Sequence, residues 1–285
     1  MAEKRDPRAH WLDEDPFDQM DTKSKTHTRA RDDGNWRKPH IRVVTGNPSG
    51  QPFFRVFGAQ QSQPIPLHKG SIWHFSEKEI KDLSNTIIAF TIALGFFATN
   101  GIFGALKYPL LFVWWGILLL IPTIPAFLLH EIAHKITARK YGCWAEFRSS
   151  ASGLRVGIFI AALTGILFMA PGAVMVAGNT TKSQFGKIAL AGPVSNVILW
   201  ILGIFLILLG FETSGVFTVP FAGVSKGMLW WWMWGNAALA VFNMLPFGPL
   251  DGKKIKTWSE TMFWFWLIVA GSLIWFNINY LPALL

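Results

Sequence analysis

Apolar and polar positions along this chain separate into long blocks. Residues 1–40 are mostly charged and polar with few clustered apolar groups, a pattern that builds no packed core and predicts disorder. Residues 41–75 set IRVV and FFRVF between Gly/Pro-rich pieces, which predicts short strands or an extended ribbon. FSEKEIKDL then changes the pattern: Ser76 followed by Glu79 fits a capping box and predicts a helix start. Beyond it, apolar runs at about 85–105, 108–138, 185–210, 227–249 and 259–284 each meet the roughly 20 residues a helix needs to cross a bilayer. Pro122 and Pro125 are expected to kink the second run about two turns before His130. These blocks predict an all-α polytopic membrane protein of about five to six transmembrane helices. A polar N-terminal segment, 1–74, would precede a membrane domain, 75–285.

One apolar stretch, 153–178, resists a regular helix because it carries Gly153, Gly157, Gly165, Gly172 and Gly178 with Pro171. Its path decides the topology. If it crosses once, Lys182, Lys187, Lys253, Lys254 and Lys256 fall on the face opposite the basic head. If it enters and returns as a hairpin, they lie on the same face as the head, together with Lys135, Arg139, Lys140 and Arg148. The excess of Lys and Arg in cytoplasmic loops favours the hairpin and a cytoplasmic N-terminus. Irregular backbone at membrane depth survives only against protein or water, so a membrane-inserted β-hairpin between the second and third helices is expected beside a polar site.

Composition sharpens this division. The first 85 residues hold 14 of the 26 Lys and Arg and 12 of the 17 Asp and Glu. The net charge of +9 does not argue for nucleic acid, because basic residues are mixed with acids in the head and sit at span ends elsewhere. A single cysteine, Cys143, excludes an intrachain disulfide framework; it reads as a small residue in a loop after a helix. No apolar core follows the N-terminus as in a cleavable signal peptide.

Against this background His130-Glu131-Ile132-Ala133-His134 stands out, because ionisable groups are costly in a membrane helix and are usually paired or bind something. The H-E-x-x-H spacing puts both histidines on one helix face, one turn apart, where their ring nitrogens can reach a single Zn²⁺. Glu131, one residue round, can take a proton from an attacking water without ligating the metal. A catalytic zinc needs a third protein ligand. Beyond Glu131, residues 86–285 offer only Glu146, Glu212, Asp251 and Glu260. Asp251 is favoured because it would end a span on the motif's side at comparable depth, with Glu146, Glu212 and Glu260 as alternatives.

His130–His134, followed by Asn243, Pro246, Leu250, Asp251 and Gly252 in N-x-x-P-x-x-x-L-D-G, resembles the site-2 protease family of intramembrane zinc metalloproteases. Between the two motifs, AGPVSN (Ala191 to Asn196) is similar to the family's middle core helix, and FSEKEIKDL to its archaeal branch. The similarity spans about 75–285; the head matches no family module. The resemblance implies zinc held by His130, His134 and Asp251, with Glu131 as base and Asn243 on the scissile carbonyl or oxyanion. Asn196 is implied in substrate or helix contact, and PGAVMVAG (Pro171 to Gly178) as the inserted hairpin. It implies a zinc-dependent endopeptidase in the bilayer that cuts single-span membrane proteins near the cytoplasmic side, in regulated proteolysis. Two rivals stay open: a metal-binding transporter or scaffold without proteolysis, and a membrane zincin using Glu212 or Glu260.

Overall fold

The computed structural model describes residues 73–169, 171–211, 218–221, 224–248 and 250–285. The head 1–72, with its IRVV and FFRVF segments, and Glu212 lie outside the described residues.

Ser76 caps α1 (Glu77–Ala98), its hydroxyl accepting from the Glu79 N–H at 3.2 Å. The other half of the expected box is missing, because the Glu79 carboxylate is spent on Lys135 and on the Phe147 N–H. Asn100 (φ 56°) and Gly101 (φ 90°) turn the chain left-handed after α1; a Cβ on Gly101 would meet the Ala162 carbonyl at 2.7 Å. A short helix, α2 (Ile102–Lys107), leads to α3 (Pro109–Lys140), whose first position is a proline, as the missing N–H allows. α3 runs as one helix through Pro122 and Pro125. Between them, the Thr123 hydroxyl donates to the Leu119 carbonyl at 2.7 Å.

Next comes an excursion of strand, helix and strand: β1 (Trp144–Ser149), α4 (Ala151–Thr164) and β2 (Gly172–Ala177). β2 pairs antiparallel with β1, Trp144 opposite Ala177 and Ser149 opposite Gly172, so the chain enters and leaves side by side. The turn-back was expected within 153–178, but its first strand lies upstream of that stretch and most of its first half is helical. Two local features explain this. Trp144 to Phe147 are all buried, which erases the period-two alternation that marks a strand. Ser150 caps α4, its hydroxyl accepting from the Gly153 N–H at 3.1 Å, and Gly165 closes it at φ 67°.

α5 (Lys182–Leu208) starts with a complete capping box between Thr181 and Gln184. A small hairpin, β3 (Val219–Phe221) and β4 (Val224–Lys226), precedes α6 (Met228–Asn243). Then follow α7 (Asp251–Trp258), α8 (Glu260–Asn279) and α9 (Leu281–Leu284). Among the described residues four helices, α1, α3, α5 and α8, are long and apolar enough to cross a membrane. The expected span at 227–249 is a shorter element: α6 closes after 16 residues, about 24 Å of helix. Pro246 and the left-handed Gly248 (φ 58°) follow it, and the chain turns. As a result Asp251 opens a new helix rather than ending a span.

α3 is the hub, packed against α1, α5 and α6. Its Phe127 stacks with Phe90 of α1 and meets Phe147 of β1 edge-on, with ring centroids 5.4 and 5.6 Å apart. Large apolar side chains also cover the outer faces, Leu110, Phe205 and Ile268 among them, which suits lipid rather than water as the surrounding solvent.

Candidate metal centre

The C-terminal part of α3 carries the motif. His130 and His134 are both buried, and their rings stand edge-to-face with centroids 4.7 Å apart. Asp251, at the first position of α7, completes the group. Its Oδ2 lies 3.3 Å from His130 Nε2 and 2.9 Å from His134 Nε2, and the three donor atoms all lie within 4.8 Å of one another. Gly252 makes this approach possible: a Cβ there would run into the Met244 carbonyl at the end of α6. Lys254, one turn on, donates to the second carboxylate oxygen of Asp251 at 2.9 Å. That oxygen is thereby oriented away from the histidines.

The hydrogen-bond partners fix the state of each ring. His134 Nδ1 lies 2.7 Å from the Ile188 carbonyl, an acceptor only, so Nδ1 carries the proton. Asn196 donates its amide to the Ala126 carbonyl at 2.9 Å and to Asn236 Oδ1 at 3.1 Å. Its own Oδ1 must then accept from His130 Nδ1, 2.6 Å away. With Nδ1 engaged in this way, each ring turns its Nε2, the nitrogen left to ligate a metal, toward Asp251. Two imidazole nitrogens and a carboxylate oxygen converging in a buried space form a donor set that a bound cation would satisfy. Zinc fits this donor set: bonds of 2.0–2.1 Å in a tetrahedron separate ligand atoms by about 3.3–3.4 Å. The His130–Asp251 distance matches this, and the His134–Asp251 distance is shorter by a few tenths of an ångström.

Gly192 on α5 supplies the room. A Cβ at this position would press directly on Nε2 of both histidines. Gly192→Ala is expected to leave α5 helical and to abolish stoichiometric zinc, as read by metal analysis of the purified protein. Removing the partner that orients His130, in Asn196→Ala, is expected to weaken zinc binding about 10–100-fold in chelator competition.

Glu131 is no member of the triad. Its Oε2 accepts from the Val174 N–H of β2 at 3.1 Å, placing the carboxylate between metal site and sheet. The remaining sequence candidates lie elsewhere. Glu146 is buried on the Ser76 hydroxyl and Arg148, 2.7 and 2.8 Å away. Glu260 is exposed in the first turn of α8. Asn243 donates back to the Leu239 carbonyl of its own helix at 3.1 Å. Cys143 packs with Ala138, Ala145 and Ile188, and burial pushes its thiol pKa up, as suits an inert core residue. Sequence reasoning missed Gly192, Asn236, the Ile188 carbonyl and Lys254. Only Gly192, beside Pro193 in an apolar span, carried a signal that a close approach was at stake.

No family model matches the chain, and no solved structure gives a significant match. Among curated proteins, one provisionally named zinc metalloprotease MJ0611, of Methanocaldococcus jannaschii, is 36% identical over 208 residues, 72% of this chain and 95% of that protein. A second so named, YwhC of Bacillus subtilis, is 29% identical over 145 residues, 48% of this chain and 66% of its own length. A third, Rip3 of Mycobacterium tuberculosis, is 28% identical over 137 residues, 46% of this chain and 28% of its own length.

Proposed function

Because the chain belongs to the zinc metalloprotease family of these relatives, we propose that it is an intramembrane endopeptidase of the site-2 protease type, archaeal branch. On this reading it cuts single-span membrane proteins close to the cytoplasmic face of the bilayer, in regulated intramembrane proteolysis. One observation carries the reading: Glu131 stands between the His130–His134–Asp251 group and a strand edge able to take a substrate.

The edge is read from the ladder. Phe147 and Val174 are paired, yet the Phe147 N–H goes to Glu79 and the Val174 N–H to Glu131, so both point out of the sheet. By the two-residue period, Gly172, Val174 and Val176 turn their main-chain groups to the side where Glu131 lies. A transmembrane substrate hides its amides in its own helix and must unwind to be cut. Laid along β2 as an added strand, the unwound segment would regain main-chain hydrogen bonds and lie beside Glu131 and the residues that would hold zinc, His130, His134 and Asp251. Segments containing Gly, Pro or Asn are the expected substrates.

When bound, zinc would supply Lewis acidity, lowering the pKa of a water toward neutrality. The residues do the rest. Asn196 and the Ile188 carbonyl keep the Nε2 lone pairs of His130 and His134 available. Glu131 takes the proton of the attacking water on its carboxylate and passes it to the leaving amine. Asn243, at the end of α6, is the proposed amide donor to the developing oxyanion, released from Leu239 when substrate enters.

The reading places the N-terminal segment 1–74 in the cytoplasm and 75–285 in the membrane. What supports this orientation is the sequence pattern, in which basic residues such as Arg139, Lys140 and Lys182 flank the apolar helices on the head's side when 144–177 turns back. Reconstituted with zinc into liposomes, the chain is expected to cut a single-span substrate within its membrane segment. A Gly/Pro-bearing segment should be cut faster than a poly-leucine one. Cleavage confined to water-soluble peptides overturns the intramembrane assignment.

A further inference from the structure

Glu79 lies in the first turns of α1, far along the chain from the motif, and is almost fully buried, as is Lys135 on α3. The two are ion-paired, and the Lys135 ammonium also sits 3.5 Å from the centre of the Phe75 ring. The other oxygen of Glu79 accepts the Phe147 N–H at 3.0 Å. Phe147 is paired with Val174, whose N–H goes to Glu131. Following these contacts gives a closed ring: Glu131 on α3, Val174 on β2, Phe147 on β1, Glu79 on α1, and Lys135 on α3 one turn beyond the start. A small cavity lies against the ring, lined by Glu79, Glu131, Lys135, Phe147 and Val174 among others.

A buried Lys–Glu pair gives little stability that apolar residues of similar size would not also give. Here it delivers something else. It plants a charged acceptor opposite the outward Phe147 amide of β1, and anchors that acceptor on the helix that carries the motif. Sliding or tilting the sheet relative to α3 then requires breaking a charge-assisted bond in a buried place. We infer that Glu79 is a positioning residue for cleavage: through the Phe147 amide it fixes the height of β2, and so of a substrate strand, relative to Glu131 and the metal. This rests on the proposed proteolysis, and the tests keep the two apart.

Two double variants separate the amide bond from the charge pair. Glu79→Gln with Lys135→Met removes both charges but keeps a carbonyl acceptor for the Phe147 N–H. Glu79→Met with Lys135→Met removes the acceptor as well. Misplacement by about 1 Å costs on the order of 10²-fold, so the Met/Met variant should lose about 10–100-fold in kcat with zinc still bound one to one, and the Gln/Met variant about threefold or less. Equal activities in the two variants overturn the inference, whether both stay high or both fall. Amide exchange gives a readout that needs neither variant to fold nor the chain to be a protease. In the unmutated chain the Phe147 amide should exchange slowly although it lies outside the ladder; exchange at the free-peptide rate overturns the inference. Absence of cleavage by the zinc-loaded wild type, with Phe147 protected, would instead remove the proteolytic reading and leave the Glu79 tie standing.

Discussion

Glu131→Gln is expected to bind zinc as the wild type does and to lose substrate cleavage by about 10²–10⁴-fold, the range set by a general base. Glutamine is the informative replacement. Its carbonyl can still accept from the Val174 N–H, which Glu131 does at 3.1 Å, so the sheet keeps its tie to α3. Only the ability to take a proton is removed. Since Glu131 is not one of the three converging donors, the metal content of the variant should not change. Cleavage of a single-span substrate in liposomes and metal analysis on the same preparation give both readings. Persistent cleavage by the zinc-loaded Glu131→Gln variant would refute Glu131 as the base.

Asp251→Ala should have the opposite signature, with zinc lost first and activity lost as a consequence. Without its carboxylate the donor set falls to two imidazoles, and Lys254 is left with a charge that its 2.9 Å partner no longer balances. Loss of a residue that merely orients a ligand costs about 10–100-fold in metal affinity, so loss of a ligand should exceed that range. Glu260→Ala and Glu212→Ala serve as controls and should retain zinc. If Asp251→Ala retains stoichiometric zinc and either control loses it, the third ligand is wrongly assigned and the zincin with a distal glutamate is the better reading.

The two variants also divide the rival functions. A metal-binding scaffold or transporter would need Asp251 and have no use for Glu131. The proposed protease needs both, for different reasons. Expected results therefore differ in which measurement moves, zinc content or cleavage, rather than only in size.

Some of this was legible because it is local. Helical periodicity alone brings His130 and His134 to one face, and an apolar run of sufficient length is a candidate span whatever it packs against. Local features also misled where they had a second use. Glu79 completes the pattern of a capping box, but a buried lysine and a strand amide outcompete the N-cap for its carboxylate. The tryptophans of α6 read as part of a span, yet the helix is short, and the Pro246–Gly248 turn sets Asp251 at a helix start. The first strand of the sheet was invisible because its residues are buried on both faces, which removes the alternation that announces a strand.

By itself, then, the sequence determined the long apolar helices α1, α3, α5 and α8, the face of α3 that carries both histidines and the Glu131 carboxylate beside it. Each of these depends on residues within a few turns of one another. The sequence favoured Asp251, 121 residues from His130, and left Glu146, Glu212 and Glu260 open; only the tertiary structure brought its carboxylate to the histidines and gave Asn196 and Ile188 as the partners that set their tautomers. The same holds for the pairing of β1 with β2, which turns the outer edge of β2 toward Glu131, where the Val174 N–H meets its carboxylate. The physical reason is common to all three: a buried polar atom takes whichever partner packing brings within about 3 Å, and packing joins segments whose separation along the chain carries no periodicity to read.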